Sequence, residues 1–203
     1  MHSSSNIRGI AFDAFGTLIR SECTSTYQKL LLTAHVDDRR PFMVEGFNIA
    51  EQAAALGLPE LIPSLLDELR DEIDQLRLFD DAAPVLAFSR ASALRLAVCS
   101  NLAADYASAV RSLLPNMDAY VLSCEVGCVK PEPAIYQAVC RSLGFAPQEI
   151  LFVGDSRRCD VDGPRHFGML SAHLDRKAGD TVLHVVSTAL EALGDPGSRV
   201  KRI

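Results

Sequence analysis

Small polar and charged residues recur in this chain directly after short apolar runs. Asp13 follows IRGIAF (7–12), Ser100-Asn101 follows LRLAVC (94–99), and Asp155-Ser156 follows EILFVG (149–154). A further apolar run, AYVLS (119–123), is followed after a short loop by Lys130 in GCVKPEPAIY. Singly, each residue suits an ordinary role: Asp13 or Ser100 a turn, Lys130 the surface, Asp160 a helix cap. Together, Asp13, Ser100, Lys130, Asp155 and Asp160 describe one polar cleft. Its clustered carboxylates repel one another unless a lysine or a metal ion compensates. Three aspartates beside a lysine therefore point to a hard, oxygen-seeking divalent ion, Mg²⁺ by default.

The cleft requires that the apolar runs be parallel strands, so that their carboxyl ends meet. MLSAHL (169–174) reads as a further strand. Helical patterns at 82–92, 104–114, 133–143, 159–167 and 183–193 separate the runs, and Gly144 suits the end of the third. Strands alternating with helices give an α/β fold with a doubly wound, Rossmann-like parallel sheet. Residues 20–80 break the alternation. VEGFNIAEQAAALG (44–57) reads as one helix and SLLDELRDEIDQLRL (64–78) as another, with Pro63 in its first turn. In the latter, Leu65, Leu66, Leu69, Ile73 and Leu76 share one face, while Asp67, Arg70, Asp74 and Arg77 lie at pairing distance on another. The expected organisation is a core of residues 1–19 and 81–203, with a small all-helical cap of residues 20–80 over the strand ends. Ligands of open α/β sheets bind outside those ends, and a cap there excludes water.

Composition narrows the classes. At 203 residues the chain suits one domain with an insert, since domains average roughly 150 residues. Apolar residues at 48% supply enough surface to fold most of it. Twenty basic against 26 acidic residues, a net charge of −6, argue against nucleic acid as a partner. The basic run Arg199, Lys201, Arg202 reads as a solvated terminus. No apolar run reaches the ~18 residues of a membrane span, and Arg8 and Asp13 interrupt the first apolar stretch where a leader would need it unbroken. A cytoplasmic protein is expected, a monomer or homodimer acting on a small molecule without nucleic-acid or membrane partners. Its six cysteines, Cys23, Cys99, Cys124, Cys128, Cys140 and Cys159, lack metal-site spacing and are expected as free thiols.

Taken in order, FDAFGTL (12–18), Ser100-Asn101, Lys130 within VGCVKPEPAIY and VGDSRRCDVDGPRHFGM (153–169) make the chain resemble the haloacid dehalogenase superfamily of hydrolases. The resemblance runs from residue 7 to about 175, and residues 20–80 fall where the family carries a helical cap. It implies that Asp13 is a nucleophile forming an ester intermediate that water hydrolyses. It also implies that Thr17 and Ser100 hydrogen-bond the transferred group, with Asn101 beside them. Gly16 lets the backbone turn closely around the nucleophile, and Lys130 neutralises charge. Mg²⁺ would be held by Asp13, the Phe15 main-chain carbonyl and Asp155, with Asp160 as ligand or neighbour.

The pattern departs from the family's phosphatases at Phe15, where they carry a second aspartate that protonates the leaving oxygen. Loss of such a group costs roughly 10²–10⁴-fold in rate. Family dehalogenases also lack it, using an aromatic residue there, because a halide leaves without a proton. They need no metal, however, and Gly154-Asp155-Ser156 is the metal-binding form of the last motif. The favoured expectation is a Mg²⁺-dependent phosphatase of small phosphorylated metabolites, with proton transfer left to substrate, water or a cap residue such as His35. The alternatives are a 2-haloacid dehalogenase, with Arg20, Arg39, Arg40 or Arg70 as its cation, and a non-catalytic ligand-binding relative.

Overall fold

A computed structural model describes residues 7–21 and 25–194. In chain order it contains β1 (Gly9–Phe12), β2 (Ile19–Arg20), α1 (Thr26–Thr33), α2 (Arg40–Val44), α3 (Ile49–Ala55), α4 (Ile62–Asp74) and β3 (Arg77–Leu78). There follow α5 (Ala82–Ala91), β4 (Arg95–Ser100), α6 (Ala107–Leu113), β5 (Ala119–Leu122), α7 (Ser123–Val126) and α8 (Pro133–Leu143). The chain closes through β6 (Ile150–Gly154), α9 (Gly163–Phe167), β7 (Leu170–His173) and α10 (Val182–Gly194). Cys23 and the basic run Arg199, Lys201, Arg202 lie outside the described residues.

Five strands form one sheet in the order β5-β4-β1-β6-β7, every neighbouring pair parallel. This is the expected α/β, Rossmann-like architecture. Alternation along β1 divides the core. Ile10 and Phe12 pack with Val85 of α5 and Val182 and Val186 of α10. Ala11 faces the other side, among Ile135, Tyr136 and Val139 of α8. Phe12 is in register with Val98 of β4 and Val153 of β6. The residues that follow, Asp13, then Ser100 and Asp155, thus emerge at one edge. The strand order reverses between β1 and β6, the place where open α/β sheets form a crevice.

Between β2 and β3 the chain is helical, and its apolar residues Leu30, Ile49, Leu65 and Leu69 join the same cluster as Ile10 and Phe12. Of the helix expected over 44–57, only Ile49–Ala55 is helical as α3, while Val44 ends the separate α2. Gly46 takes φ +70°, and Asn48 starts α3 with a capping box to Glu51. The helix expected over 64–78 ends at Asp74, because Arg77 and Leu78 pair antiparallel with Arg20 and Ile19. That two-residue pairing is too short to leave a periodic signal. Arg70 does pair with Asp67 at 3.0 Å, whereas Arg77 donates to the main-chain carbonyls of Asp74 and Leu76. Residues 104–106 form a 3-10 turn before α6, and 157–162 a π-type turn before α9. Cys99, Cys124, Cys128, Cys140 and Cys159 are free thiols. Among the described residues, no helix is long and apolar enough to cross a membrane.

Polar bonds fasten the helical segment to the turn after β4. Asp105 accepts from the Tyr27 hydroxyl at 2.5 Å and from the Ile49 amide at 3.0 Å. Buried Glu72 of α4 accepts from the Thr26 amide and hydroxyl, each at 2.8 Å, and from the Tyr106 hydroxyl at 2.9 Å. Truncating a buried acceptor leaves each of its donors unsatisfied. Glu72→Ala is expected to lower unfolding free energy by about 2–4 kcal/mol, read from urea titration. A loss below about 0.5 kcal/mol would mean the three bonds do not hold the segment down.

Candidate active site

The site starts at the end of β1. The Asp13 amide donates to the Val153 carbonyl of β6, which continues the β1–β6 ladder one residue beyond β1. The chain then turns sharply. Gly16 takes φ +78°, and a Cβ there would stand 2.3 Å from Asp155 Oδ2, so the Asp155 carboxylate lies directly on the Gly16 backbone. Only glycine meets both demands.

Lys130 comes from the loop after α7, and its Nζ lies 2.8 Å from Asp13 Oδ1 and 2.7 Å from Asp160 Oδ1. The lysine is 4% exposed and Asp160 0%. The Phe152 ring centroid is 5.3 Å from the ammonium, on the side of the sheet. Burial works against the Lys130 charge, but Asp13 and Asp160 outweigh it and hold the ammonium's pKa above the usual lysine range. Burial, and then the Asp13 charge, raise the pKa of Asp160 against the pull of Lys130. The same two causes, in the same order, raise Asp155. A like-charge cluster of this kind favours an added cation.

Ser100 is buried at the end of β4. Asn101 grips the Lys130 main chain from both sides: its Oδ1 accepts from the Lys130 amide at 2.7 Å, and its Nδ2 donates to the carbonyl at 2.9 Å. Asp160 does not cap the turn that follows β6; Ser156 does, accepting from the Cys159 amide. Asp160 Oδ2 instead accepts from the Ser156 amide at 2.9 Å. Gly154 is needed beneath it, since a Cβ would stand 2.4 Å from Asp160 Cγ. Thr17 is 0% exposed, and among the described residues its Oγ1 has no hydrogen-bond partner.

Asp13, Asp155 and Asp160 offer carboxylate oxygens within 4.8 Å of one another. Hard oxygen donors so close, with one carboxylate folded over a glycine, fit a small divalent cation such as Mg²⁺. With both Asp160 oxygens already holding donors, Asp13 and the exposed Asp155 are the better-placed ligands.

The motif residues thus come together at one edge. Others there carry no sequence signal. Arg176, beyond β7, donates to the Gly16 carbonyl at 3.1 Å and to the Thr17 carbonyl. It also pairs with Asp81 at 3.0 Å and stacks on Phe79 with its guanidinium carbon 3.6 Å from the ring centroid. The one available clue was its position just past a fifth strand end. Ser123 holds the loop after Asn101, accepting from the Leu102 amide at 2.9 Å. Phe15 stands edge-on to Tyr106, with ring centroids 5.7 Å apart. His35 is exposed in the turn after α1.

A family model described as haloacid dehalogenase-like hydrolase matches residues 7–168. The chain belongs to that family. Among its relatives, a phosphoserine phosphatase of Thermus thermophilus is 30% identical over 139 residues, 67% of this chain and 55% of that protein. The chain therefore spans little more than half of that relative's length. An (S)-2-haloacid dehalogenase of Xanthobacter autotrophicus is 29% identical over 194 residues, 84% of this chain and 76% of the other. In fold, the chain is similar to a family phosphatase from Thermococcus onnurineus, with TM-score 0.66 and 20% identity over 91% of this chain and 98% of that one.

The buried Thr17 hydroxyl gives a direct test of the site's packing. An unpaired buried hydroxyl is a cost that valine removes at nearly the same shape. Thr17→Val is expected to unfold at equal or higher denaturant, with a gain of up to about 1 kcal/mol. A loss beyond about 1 kcal/mol would mean that the hydroxyl has a protein partner.

Proposed function

We propose that this family hydrolase is a Mg²⁺-dependent phosphatase of small phosphorylated molecules, with Asp13 as its nucleophile. The observation that carries the reading is the acidic trio of Asp13, Asp155 and Asp160 around Lys130. Asp155 has no evident use in a metal-free hydrolase.

Mg²⁺, held by Asp13, the Phe15 main-chain carbonyl and Asp155, would offset the repulsion between a carboxylate nucleophile and a phosphate. Asp160 keeps Lys130 in place beside Asp13. The chain's own groups do the rest. Lys130, held on Asp13 Oδ1, leaves the second carboxylate oxygen to attack. The Ser100 and Thr17 hydroxyls serve as donors to phosphoryl oxygens; the lack of a protein partner for Thr17 Oγ1 supports that use. Asn101 acts through the Lys130 main chain, and Gly16 keeps the approach to the nucleophile open. We assign residues 1–19 and 81–203 to the catalytic core and residues 20–80 to a cap that keeps water out. Phe15 can transfer no proton, so the reading favours esters whose leaving group departs as a stable anion.

Dehalogenation is the second reading, and a specific arrangement favours it. Arg40 is tied to Glu132 at 2.7 Å, while neighbouring Arg39 is exposed and lines the cavity beside Phe15. Among the described residues, Arg39 has no ion-pair partner. Of the other candidate cations, Arg70 pairs with Asp67, and Arg20 has a buried Nε without a partner.

A panel of phosphate esters and 2-haloacids, each with Mg²⁺ and with EDTA, separates the readings. Phosphate release that needs Mg²⁺ is expected. Asp13→Asn should reduce it by roughly 10³-fold or more while the thermal melt stays cooperative. Halide release indifferent to EDTA would move the assignment to dehalogenase.

A further inference from the structure

A cavity of about 330 Å³ lies between the helical segment and the carboxyl edge of the sheet. Phe15 and Asn101 both line it, which sets it beside Asp13 and the Lys130 loop. Four aromatic rings, Phe15, Tyr27, Phe42 and Tyr106, line it together with the apolar side chains of Leu31, Met43 and Leu102. Tyr27 and Tyr106 lie 5.9 Å apart between ring centroids, tilted by 47°.

The polar atoms of these walls are largely in use. The Tyr27 hydroxyl is spent on Asp105, and the Tyr106 hydroxyl on Glu72, whose other oxygen takes both Thr26 donors. Gln28 and Arg39, which also line the cavity, are exposed and so belong to its rim. A sugar or polyol entering here would shed water against rings and gain few partners. A flat ring would meet edges and faces at favourable separations. Size points the same way. An apolar cavity of ~150 Å³ accepts benzene, so this one has room for a ring with its substituents.

The chemistry of Phe15 agrees independently. Without an acid at that position, the leaving oxygen departs as an anion. A phenol, which ionises near ~10 like the tyrosine side chain, does so far more readily than an alkanol.

We propose that this cavity is the leaving-group site and that its occupant is one substituted aromatic ring, so that the substrate is an aryl phosphate monoester. The proposal rests on the phosphatase reading above. In the first step an Asp13 oxygen bonds to phosphorus as the bond from phosphorus to the aryl oxygen breaks. The aryloxide keeps the bonding pair and takes a proton from water. In the second, a water oxygen bonds to phosphorus and the aspartyl oxygen recovers its electron pair. One water proton goes to solvent, and the other leaves on inorganic phosphate.

The test compares phenyl phosphate with acetyl phosphate in Mg²⁺. Neither needs an acid for its leaving group, and acetate is the better one, so a preference for phenyl phosphate reports the ring site. Phenyl phosphate should show a KM at least about tenfold lower, and phenol should inhibit competitively. Phe42→Ala should cut the phenyl-to-acetyl ratio of kcat/KM by about tenfold. If thermal melting shows that variant unfolded, Phe42→Leu, which keeps apolar volume and removes the ring, serves instead. Equal KM values for the two substrates, or a variant that moves both alike, would overturn the aryl assignment and leave the phosphatase reading standing. Hydrolysis of neither compound would overturn both.

Discussion

The rest of the site depends on one ammonium group. Lys130 Nζ sits between Asp13 and Asp160, which are 117 and 30 positions away along the chain, at 2.8 and 2.7 Å. Three charges almost without solvent are costly to assemble, and removing one partner from such a group typically costs about 3–5 kcal/mol. The neighbourhood is organised around that demand. Asn101 fixes the lysine main chain, the Ser156 amide satisfies the second oxygen of Asp160, and the Phe152 ring closes the floor. The trio still carries a net negative charge, and Asp155 adds to it. That surplus is the physical basis for expecting a divalent cation at this edge.

Close approach of backbone to carboxylate is the second constraint. Asp155 occupies the space a side chain at Gly16 would take, and Asp160 the space of one at Gly154. The loop after Asp13 is in turn held from outside by Arg176, whose guanidinium reaches the Gly16 and Thr17 carbonyls while Asp81 and Phe79 fix its own position. Asp81 also accepts from the Val182 amide at 2.6 Å, so the start of α10 shares the same fastening. The loop is thus set by contacts from β7, α5 and α10 together. The helical segment is anchored separately, through Asp105 and Tyr106, within a few residues of Ser100 and Asn101. The helical segment and the polar strand edge are therefore joined through a single short loop after β4.

Two positions pull the chemistry apart. In the proposed reaction Asp155 would serve a metal and an anionic substrate, whereas Phe15 would suit a leaving group that needs no proton. The relatives divide in the same way, a phosphoserine phosphatase beside a haloacid dehalogenase at nearly equal identity. The proposed phosphoryl transfer to Asp13 with an easily ionised leaving group would satisfy both positions at once. That is why the aromatic cavity beside Phe15 bears on the chemistry as well as on recognition.

The sequence alone determined the alternation of strands and helices, and with it the parallel sheet. Apolar runs ending in Asp13, Ser100 and Asp155 are a local signal, because a buried strand must be apolar along its length and polar where it surfaces. The interrupted pattern over 20–80 was equally legible, since Leu65, Leu69 and Ile73 repeat with a helical period. Tertiary structure decided what has no period. The β2–β3 pairing is two residues long. The break between α2 and α3 is set by a left-handed Gly46 and by the Asn48 cap. Arg176, Glu72 and Asp105 look in sequence like any surface charge, because their partners lie far away along the chain. Which of Arg39 and Arg40 pairs with Glu132 was decided by where Glu132 comes to rest, and a one-dimensional pattern carries no information about that distance.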